Sequence, residues 1–599
     1  MNINEDIVLK SHFDDFKQQY DYQDMTDSKA FELFAIYSIV SKYIKTDTLS
    51  SDLLEQFNIG DGNDWGIDGF IVIVNGKIVT SVQEVDDLLN ANNYINLNII
   101  TVQAKTSHNF DSGELGLFLD GNEYFLLDLT NSTELPPSND KLNECRHLLK
   151  HIYSKCAVFQ DGKNPTLDAY FVTCGEYNHQ PNFEVKIQNA KKTIMDIDLV
   201  SRFECNMLGR KDIIRYYKET KSKAEAILKI DNKISLPEVA NITESYLCLI
   251  PFREFKKLII GEDSKIIHSV FYDNIRAFQG DNIVNKAMSD FLKHGIDNNG
   301  DISLFTAMNN GITIIAKSIK TTGNNMRISD YQIVNGCQTC NVLQQNANIN
   351  GIDDLMLTVK IISSDDKDIR DKIIVGNNSQ TEVKREQLIA LLDTQKQIED
   401  YFNAQNTFEK LYYERRSKQY KYEEASIPQY KVITIPFLIK AFVAMIMEKP
   451  DQVSGYYGSI VEAFDKNDIH VFDPQTKPEL YYTSALACYM MEKLFKLGFI
   501  SSEYKKIKYH LLLSFKLLAQ SERTPQFNNR KIQDYCNRIC EILCDETKCK
   551  TYFKHSITLV DLVLGRKPMD SDRSDKRFTE NIQKKSRLYS VQTGALKLQ

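Results

Sequence analysis

The stretch from Asp68 to Lys105 organises the N-terminal part of the chain: it begins DGFIVIVNGK (68–77) and ends NLNIITVQAK (96–105). The apolar, β-branched run after Asp68 stops at an Asn-Gly dipeptide, which favours a two-residue hairpin turn. A second strand is predicted from Leu97 to Ala104. Asp68 is therefore expected at the beginning of one strand, and Gln103 and Lys105 at the end of the next.

These three side chains are predicted to form one polar cluster. Side chains alternate along a strand, so Gln103 and Lys105 project from the same face and Ala104 from the other. The oxygens of Asp68 and Gln103 are ligands of the kind that a hard divalent cation such as Mg²⁺ (or Mn²⁺) takes. A lysine beside such a cation orients the attacking water or stabilises developing charge.

A helix upstream supplies a further acidic residue. Asp27 and Ser28 are candidate N-caps for a helix of almost unbroken apolar character, and Glu32 shares a face with Ile36 and Ile39. A carboxylate on an apolar helix face is costly to bury unless it is paired or binds a cation. Glu32 is therefore a candidate metal ligand, and a surface glutamate or a core ion pair is the alternative.

The arrangement resembles the PD-(D/E)XK nuclease superfamily, in the variant where glutamine replaces the second acid. The resemblance implies a restriction-endonuclease-like mixed sheet over residues 1–225, with Asp68, Gln103 and Glu32 as metal ligands and Lys105 completing the catalytic set. The predicted order after residue 105 agrees: a helix at 141–149, a strand at 167–174, a helix at 183–197, a strand at 199–205 and a charged helix at 210–229.

Composition sets the outer limits. With 599 residues the chain is too long for one core, so two to four domains are expected. The net charge of −8 argues against non-specific coating of nucleic acid, although a nuclease needs only a local basic groove. A polar N-terminus and the lack of a long apolar run predict no membrane span and a cytoplasmic location. The 12 scattered cysteines are expected to be reduced.

Five blocks in the middle of the chain carry a second signature. They read FYDNIRAFQGDNIVN (271–285), LFTAMNNGITIIAKSI (304–319), YQIVNGCQTCNVL (331–343), IVGNNSQTEVKREQL (374–388) and LYYERRSKQYKY (411–422). Taken together they resemble the AIPR family, named for abortive infection and phage resistance, over roughly residues 240 to 430. The resemblance implies a role in anti-phage defence.

The polar residues of these blocks are candidates for binding nucleic acid or a ligand. Asn-Gly turns beside the predicted strands 312–316 and 331–334 place amides at strand ends. Residues 377–380 repeat this chemistry before a predicted helix near Glu382, and 412–422 interleaves aromatic rings with cations. Ordinary solvated turns and surface charge are the alternative. The candidates are Asn309, Asn310, Asn335, Gln338, Asn378, Gln380, Arg415 and Arg416.

Two cysteine patterns have different interpretations. Cys337 and Cys340 have the spacing of half a zinc site or a redox pair, but no second close pair lies nearby in sequence, and their role stays open. Cys536, Cys540 and Cys544 recur four residues apart, which is typical of an apolar helical stripe.

The last third is predicted to be helical. Residues 430–447 are apolar but interrupted by Pro436, and amphipathic helices are predicted at 481–497, 502–519 and 532–543. Residues after about 570 are charged and low in apolar content, which predicts a surface extension or flexible tail. The predicted domains are 1–225, a central AIPR core at 226–470, a helical lobe at 471–570 and a charged tail at 571–599.

The sequence thus predicts a multidomain α/β plus α protein with an N-terminal restriction-endonuclease-like mixed sheet, a central α/β AIPR core and a helical C-terminal lobe. The predicted function is a Mg²⁺-dependent endonuclease that hydrolyses phosphodiester bonds of nucleic acid, with DNA favoured, in anti-phage defence. One alternative is a sensor or regulator that binds nucleic acid or a ligand and has a vestigial nuclease domain. Another is an RNase with the same defence role. A homo-oligomer or a partner from a defence system is compatible with the sequence.

Overall fold

The computed structural model describes residues 6–44, 49–130, 134–221, 224–261, 266–271, 287–293, 304–378, 393–415, 420, 427–520, 523–592 and 595–598. Within these residues the chain is a mixed α/β protein with a five-stranded sheet, a six-stranded sheet and two small two-stranded sheets. The multidomain α/β character predicted from the sequence is consistent with this architecture. No helix among the described residues is long and apolar enough to serve as a membrane span.

The five-stranded sheet lies in the N-terminal α/β unit, residues 6–221. Its strand order is β2-β1-β3-β4-β5, with β1 antiparallel to β2 and β3, and with β3, β4 and β5 parallel. The strands are β1 Gly69–Val74, β2 Lys77–Val79, β3 Leu97–Lys105, β4 Thr166–Thr173 and β5 Arg202–Leu208. The helices are α1 Ile7–Tyr20, α2 Asp27–Val40, α3 Ser51–Phe57, α4 Val82–Asn92, α5 Ser112–Thr130, α6 Asp140–Tyr153, α7 Pro181–Asp196 and α8 Arg210–Lys221.

The predicted hairpin between β1 and β2 is present. Asn75 and Gly76 both have positive φ, at 53° and 74°, the backbone conformation that a type I′ turn requires. β1 is buried on both faces, so its apolar side chains enter two separate cores. Ile71 and Ile73 join the core beneath α1, α2 and α8, while Phe70 and Val72 join the core beneath α5 and α7.

The charged helix predicted at 210–229 is shorter than expected. It ends at Lys221, and β6 Glu225–Lys229 follows. Ala226 and Leu228 are buried while their neighbours are exposed, the two-residue period of a strand with one buried face. This segment forms a strand because it pairs with residues 325–329, a hundred residues later in the chain. β5 also begins three residues later than predicted.

The six-stranded sheet, which we call the middle sheet, has the order β6-β10-β9-β11-β8-β7. All its pairs are antiparallel except β9 with β11. The two short strands predicted at 312–316 and 331–334 lie inside longer ones. Beyond β6, the strands are β7 Asn232–Ser235, β8 Glu244–Pro251, β9 Ile312–Thr322, β10 Asn325–Asn335 and β11 Met356–Ser363. Helices of this part are Phe252–Ile259, 287–293, Leu304–Met308, Cys337–Gln345 and Lys367–Asn378.

The C-terminal part is helical around one large apolar core, which includes residues before and after the predicted bounds of 471–570. Pro436 lies in the first turn of a helix capped by Thr434, where proline is tolerated, and so does not interrupt it. The helices are Asp393–Ala404, Ile435–Met445, Tyr457–Asp465, Pro478–Lys496, Lys508–Ala519, Ile532–Cys544, Glu546–Leu564 and Lys576–Ser586. The small sheets pair Tyr412–Glu414 with Val432–Thr434 and Tyr589–Gln592 with Ala595–Leu598.

The prediction of a charged tail after residue 570 is wrong for most of that segment. The helix Lys576–Ser586 buries Phe578 and Ile582 in the lobe core, and the Phe578 ring stacks on His510 with centroids 4.6 Å apart. Two apolar residues one helical turn apart are enough to dock a helix, and the many charges around them hid that pattern. The cysteine stripe is present: Cys536 and Cys540 are buried and Cys544 is exposed.

The helical lobe packs directly on the N-terminal α/β unit through ion pairs. Lys508 Nζ lies 2.7 Å from Asp52 Oδ2 at the beginning of α3, and Lys505 pairs with Glu55 in the same helix at 3.2 Å. Lys440 contacts Glu84 of α4 at 3.1 Å. Elements more than 350 residues apart in sequence are therefore held side by side.

Candidate functional site

Hydrogen bonds to β3 hold Asp68 beside the C-terminal end of that strand. It directly precedes β1, and its N–H donates to the carbonyl of Val102 at 2.9 Å, which extends the β1–β3 pairing by one residue. Its side chain is buried, and Oδ2 accepts a hydrogen bond from the N–H of Ala104 at 2.9 Å. The carboxylate that was predicted at a strand's beginning is thus held against the strand that carries Gln103 and Lys105.

Gln103 and Lys105 are in contact, as their predicted placement on one face requires. Strand alternation puts both on the face of β3 that carries Thr101, and Gln103 is buried there. With its amide oriented to suit its neighbours, Gln103 Nε2 donates to the carbonyl of Gly66 at 2.8 Å, and Oε1 accepts from Lys105 Nζ at 3.1 Å. The amide oxygen therefore faces the lysine.

Glu32 reaches the same end of the sheet from α2. The absence of a side chain at Gly69 lets α2 approach, because a Cβ there would lie 2.7 Å from Ile36. The helix begins with Thr26 as its N-cap, one residue before the predicted candidates. Glu32 Oε2 accepts a hydrogen bond from Asn58 Nδ2 at 2.8 Å and lies 3.3 Å from Lys29 Nζ. Glu32 thus has a cationic partner, as the ion-pair alternative requires.

Burial and charge together perturb Asp68. Loss of solvent and the negative charge of Glu32 raise the pKa of Asp68 from 3.8 to about 7, while Lys105 and the Ala104 N–H act in the opposite direction. The effect of Glu32 shows that the two carboxylates are close enough to repel each other. A bound cation would relieve that repulsion.

The donor set fits Mg²⁺ or Mn²⁺ only if amide oxygens take part. Among the described residues, no group of three or more His, Cys, Asp or Glu side chains is placed to hold a metal ion. Two carboxylates completed by neutral oxygens remain, and hard divalent cations accept such ligands together with water. Asp68, Glu32 and Gln103 are the residues that would hold the ion.

Sequence reasoning missed the residues that surround this cluster. Lys29 Nζ also donates to the carbonyl of Gly60, and Asp61 pairs with Lys29 at 3.4 Å and with Lys141 at 2.9 Å. Position 60 has no room for a side chain, because a Cβ would lie 2.8 Å from Asp68 Oδ1. The glycine before the acidic loop was the one local signal of this close approach.

The candidates of the middle sheet are partly brought together. β9 and β10 are antiparallel, so the turn before β9 and the end of β10 meet, with Asn335 opposite Thr313. Asn309 uses both ends of its amide there: Oδ1 accepts from the N–H of Gly311 at 3.0 Å and Nδ2 donates to Thr339 Oγ1 at 2.8 Å. Gln338 lies in the first turn of the adjacent helix, and Asn310 is exposed. Asn309 therefore stabilises the turn.

Two candidates are placed differently from the prediction. Arg415 is buried, with an exposed fraction of 3%, and its Nε lies 2.8 Å from Glu399 Oε2. A guanidinium in a buried ion pair is unavailable to a phosphate, so the prediction of a phosphate contact at Arg415 is wrong for this structure. Asn378 ends the helix Lys367–Asn378 and is not in a turn before a helix. Gln380 and Arg416 lie outside the described residues.

The two cysteines of the middle block are buried. Cys337 and Cys340 lie in the helix Cys337–Gln345, and Asn341 Nδ2 lies 3.4 Å from Cys337 Sγ. Burial raises the pKa of the Cys337 thiol to about 12. Burial thus disfavours the nucleophilic thiolate of both cysteines, and both side chains pack in the core of the middle sheet.

The middle sheet and the helical lobe include a segment that is similar to a known protein family. Residues 271–561 match the family described as AIPR protein. The match supports the resemblance to the AIPR family over this part of the chain. It begins later than the resemblance read from the five blocks and extends through most of the helical lobe, and it leaves the N-terminal α/β unit outside. No curated protein and no solved structure matches the chain.

Proposed function

We propose that the N-terminal α/β unit of this protein is a metal-dependent nuclease domain that hydrolyses phosphodiester bonds of nucleic acid, with DNA favoured, in anti-phage defence. The observation that carries the proposal is the meeting of Asp68, Gln103 and Lys105 at one strand end. The antiparallel pairing of β1 with β3 places Asp68 beside the end of β3 that carries Gln103 and Lys105. Lys105 Nζ lies 3.1 Å from Gln103 Oε1.

The order of elements supports the same proposal. α2 carries Glu32, the antiparallel strands β1 to β3 follow, and β4 and β5 then add in parallel. This is the order of helix, mixed strands, helix and strand that the nuclease resemblance implies. The site lies where β1 begins and β3 ends, beside the loop 60–66.

Each residue would have a distinct task. Asp68, Glu32 and Gln103 would hold Mg²⁺ or Mn²⁺, and such an ion, when bound, polarises a phosphoryl group and acidifies water. Lys105 would orient the attacking water or stabilise the charge that develops on the phosphate. Gln103 is the weakest donor because a neutral amide attracts a cation less than a carboxylate does, so retention of the ion would depend on Glu32.

The decisive experiment is a cleavage assay on the purified full-length protein. Plasmid, single-stranded DNA and RNA are each incubated with Mg²⁺ and with chelator, and Lys105→Ala is assayed in parallel. Cleavage of DNA that needs Mg²⁺ and is lost in Lys105→Ala supports the proposal. Cleavage of RNA alone would favour the RNase alternative.

One observation favours a second candidate function, a sensor or regulator with a vestigial nuclease site. The Glu32 carboxylate is already paired with Lys29, and Asp68 has an exposed fraction of only 7%. If Lys29 keeps Glu32 paired and Asp68 stays buried when a cation is offered, the site would bind no ion and cleave nothing. Absence of Mg²⁺-dependent cleavage of all three substrates by folded protein would favour it.

A further inference from the structure

Asn58 contacts the Glu32 side chain and the backbone next to Asp68. It follows α3 directly, and its backbone bridges to Gly69, the residue after Asp68. Lys141 Nζ donates to its carbonyl at 3.1 Å. The side chain is almost completely buried, with an exposed fraction of 2%. Backbone contacts on both sides therefore fix the position of this amide.

Only one end of the Asn58 side-chain amide has a hydrogen-bond partner among the described residues. Nδ2 donates to Glu32 Oε2 at 2.8 Å, but Oδ1 is buried and has no hydrogen-bond partner among the described residues. Buried polar atoms are rarely left unpaired, and each exception calls for an explanation. Turning the amide over would not help, because it would bring its oxygen against the Glu32 carboxylate. The unpaired oxygen is thus a consequence of holding Glu32.

We propose that Asn58 is a positioning residue of the metal site, which fixes the Glu32 carboxylate through Nδ2 and offers Oδ1 as a further oxygen to the hydrated cation. This inference rests on the proposed function. It gives the buried oxygen a partner of the right chemistry, since Mg²⁺ and Mn²⁺ take neutral amide oxygens and waters beside carboxylates. It also adds a second amide oxygen to a donor set of two carboxylates and Gln103.

A purely structural role would give a different result. A buried asparagine that serves only packing would affect stability and leave cation binding unchanged. Asn122 is a matched control in the same α/β unit: it is buried on α5, accepts from Thr101 Oγ1 at 2.6 Å and donates to the carbonyl of Phe118 at 2.7 Å. Both ends of its amide are paired.

The test is direct binding of Mn²⁺ to the purified full-length protein, followed by electron paramagnetic resonance of the free ion. Asn58→Ala is expected to weaken Mn²⁺ binding by about 10- to 100-fold, the range that loss of a supporting residue gives in metal sites. Asn122→Ala is expected to bind as wild type does. If Asn58→Ala does not fold, Asn58→Ser replaces it.

The outcomes separate this inference from the proposed function. Wild-type Mn²⁺ affinity in folded Asn58→Ala would overturn the role of Asn58, provided that Asp68→Ala abolishes binding. Absence of Mn²⁺ binding by wild type, or binding that Asp68→Ala leaves intact, would overturn the proposed metal site itself.

Discussion

At Asp68, one side chain is subject to two opposing demands. Burial and the negative charge of Glu32 raise its pKa to about 7, so near neutral pH the carboxyl is divided between its protonated and ionised forms. Binding a divalent cation requires the ionised form, which the protein without metal disfavours. Burial of Asp68 thus costs stability, and a cation in the proposed metal site would offset that cost.

The first prediction is a pH-dependent gain in stability for Asp68→Asn. A carboxyl with a raised pKa contributes stability below its unfolded value near 3.9 and loses it as pH rises towards 7. Above pH 7 ionised Asp68 therefore lowers the free energy of unfolding by up to about 4 kcal/mol. Asparagine keeps an acceptor for the Ala104 N–H. In chelator, urea unfolding should show the variant more stable than wild type at pH 8, with a smaller difference at pH 5. Equal differences would contradict the raised pKa.

The second prediction is that Lys105→Ala abolishes cleavage without unfolding the protein. Lys105 ends β3 and is only half-buried, so it supports little of the core. Lys211 in α8, which pairs with Glu176 at 3.1 Å on the surface, supplies the control variant Lys211→Ala. Cleavage rates and circular dichroism of both variants check this prediction. A folded Lys105→Ala that cuts at the wild-type rate would remove Lys105 from the site.

The third prediction is that Gln103→Glu binds Mg²⁺ more tightly. A carboxylate attracts the cation more strongly than an amide does, and activity should be kept or increased. Without metal the variant should be less stable than wild type, because the new carboxylate would place an oxygen against the Gly66 carbonyl that Gln103 Nε2 now contacts. Mg²⁺ titration and melting in chelator measure the two effects. Complete loss of activity in a folded variant would show that the amide N–H donors are what matters.

At the scale of elements, α5 sets the shape of the loop that leads to Asp68. A Cβ at Gly121 would lie 2.0 Å from the carbonyl oxygen of Trp65, so the helix touches the loop backbone directly. Trp65 itself has a positive φ of 56°, and its indole N–H donates to the carbonyl of Pro136 at 3.2 Å. The next residue, Gly66, supplies the carbonyl that holds Gln103. Helix packing thereby positions a proposed ligand.

The fourth prediction compares two glycines of α5. Alanine is the better helix former by about 1 kcal/mol, so Gly→Ala stabilises a helix wherever the methyl group fits. At Gly116 the nearest atom is Lys186 Nζ at 3.5 Å, and Gly116→Ala should be neutral or stabilising. At Gly121 the methyl group meets backbone, and Gly121→Ala should lower the free energy of unfolding by roughly 3 kcal/mol. Chemical unfolding decides, and equal stability of the two variants would disprove the close approach of α5.

At the scale of the whole molecule, the partly buried lysine Lys508 joins the helical lobe to the N-terminal α/β unit. Its Nζ lies 2.7 Å from Asp52 and 2.8 Å from Glu492. Burial and the charge of Asp52 raise the pKa of Glu492 to about 7, and Lys508 opposes that shift. Two acids from different parts of the chain thus share one cation, and the junction depends on it.

The fifth prediction is that Lys508→Met destabilises the protein by about 2 to 4 kcal/mol, because it leaves two partly buried carboxylates, Asp52 and Glu492, without the cation that they share. The effect should be larger at pH 8 than at pH 5, where the two acids can take up protons and lose their charge. Lys466→Met, which removes a surface partner of Glu462, should change stability by less than about 1 kcal/mol. Urea unfolding at both pH values measures these differences. A Lys508→Met effect no larger than that of Lys466→Met would show that the junction does not depend on this lysine.

The sequence alone determined those features that depend on a period within one element. The β-branched apolar run after Asp68 predicted β1, alternation along β3 placed Gln103 and Lys105 on one face, and the Asn75-Gly76 dipeptide predicted the hairpin turn. Three helices of the C-terminal lobe, Pro478–Lys496, Lys508–Ala519 and Ile532–Cys544, followed from their amphipathic pattern. In each case the information lies within a few residues of the element that it describes.

Only the tertiary structure decided which of these side chains are buried and what they contact. The sequence predicted Arg415 as a phosphate contact, but in the structure it is paired with Glu399. The sequence predicted a charged tail at 571–599, but two residues of the helix Lys576–Ser586 lie in the lobe core. Glu32 was a candidate, but its hydrogen bond to Asn58, 26 residues away, was invisible in the sequence. Burial and pairing depend on segments that are distant in the chain. The local periodicity of one segment does not show which distant segment packs against it.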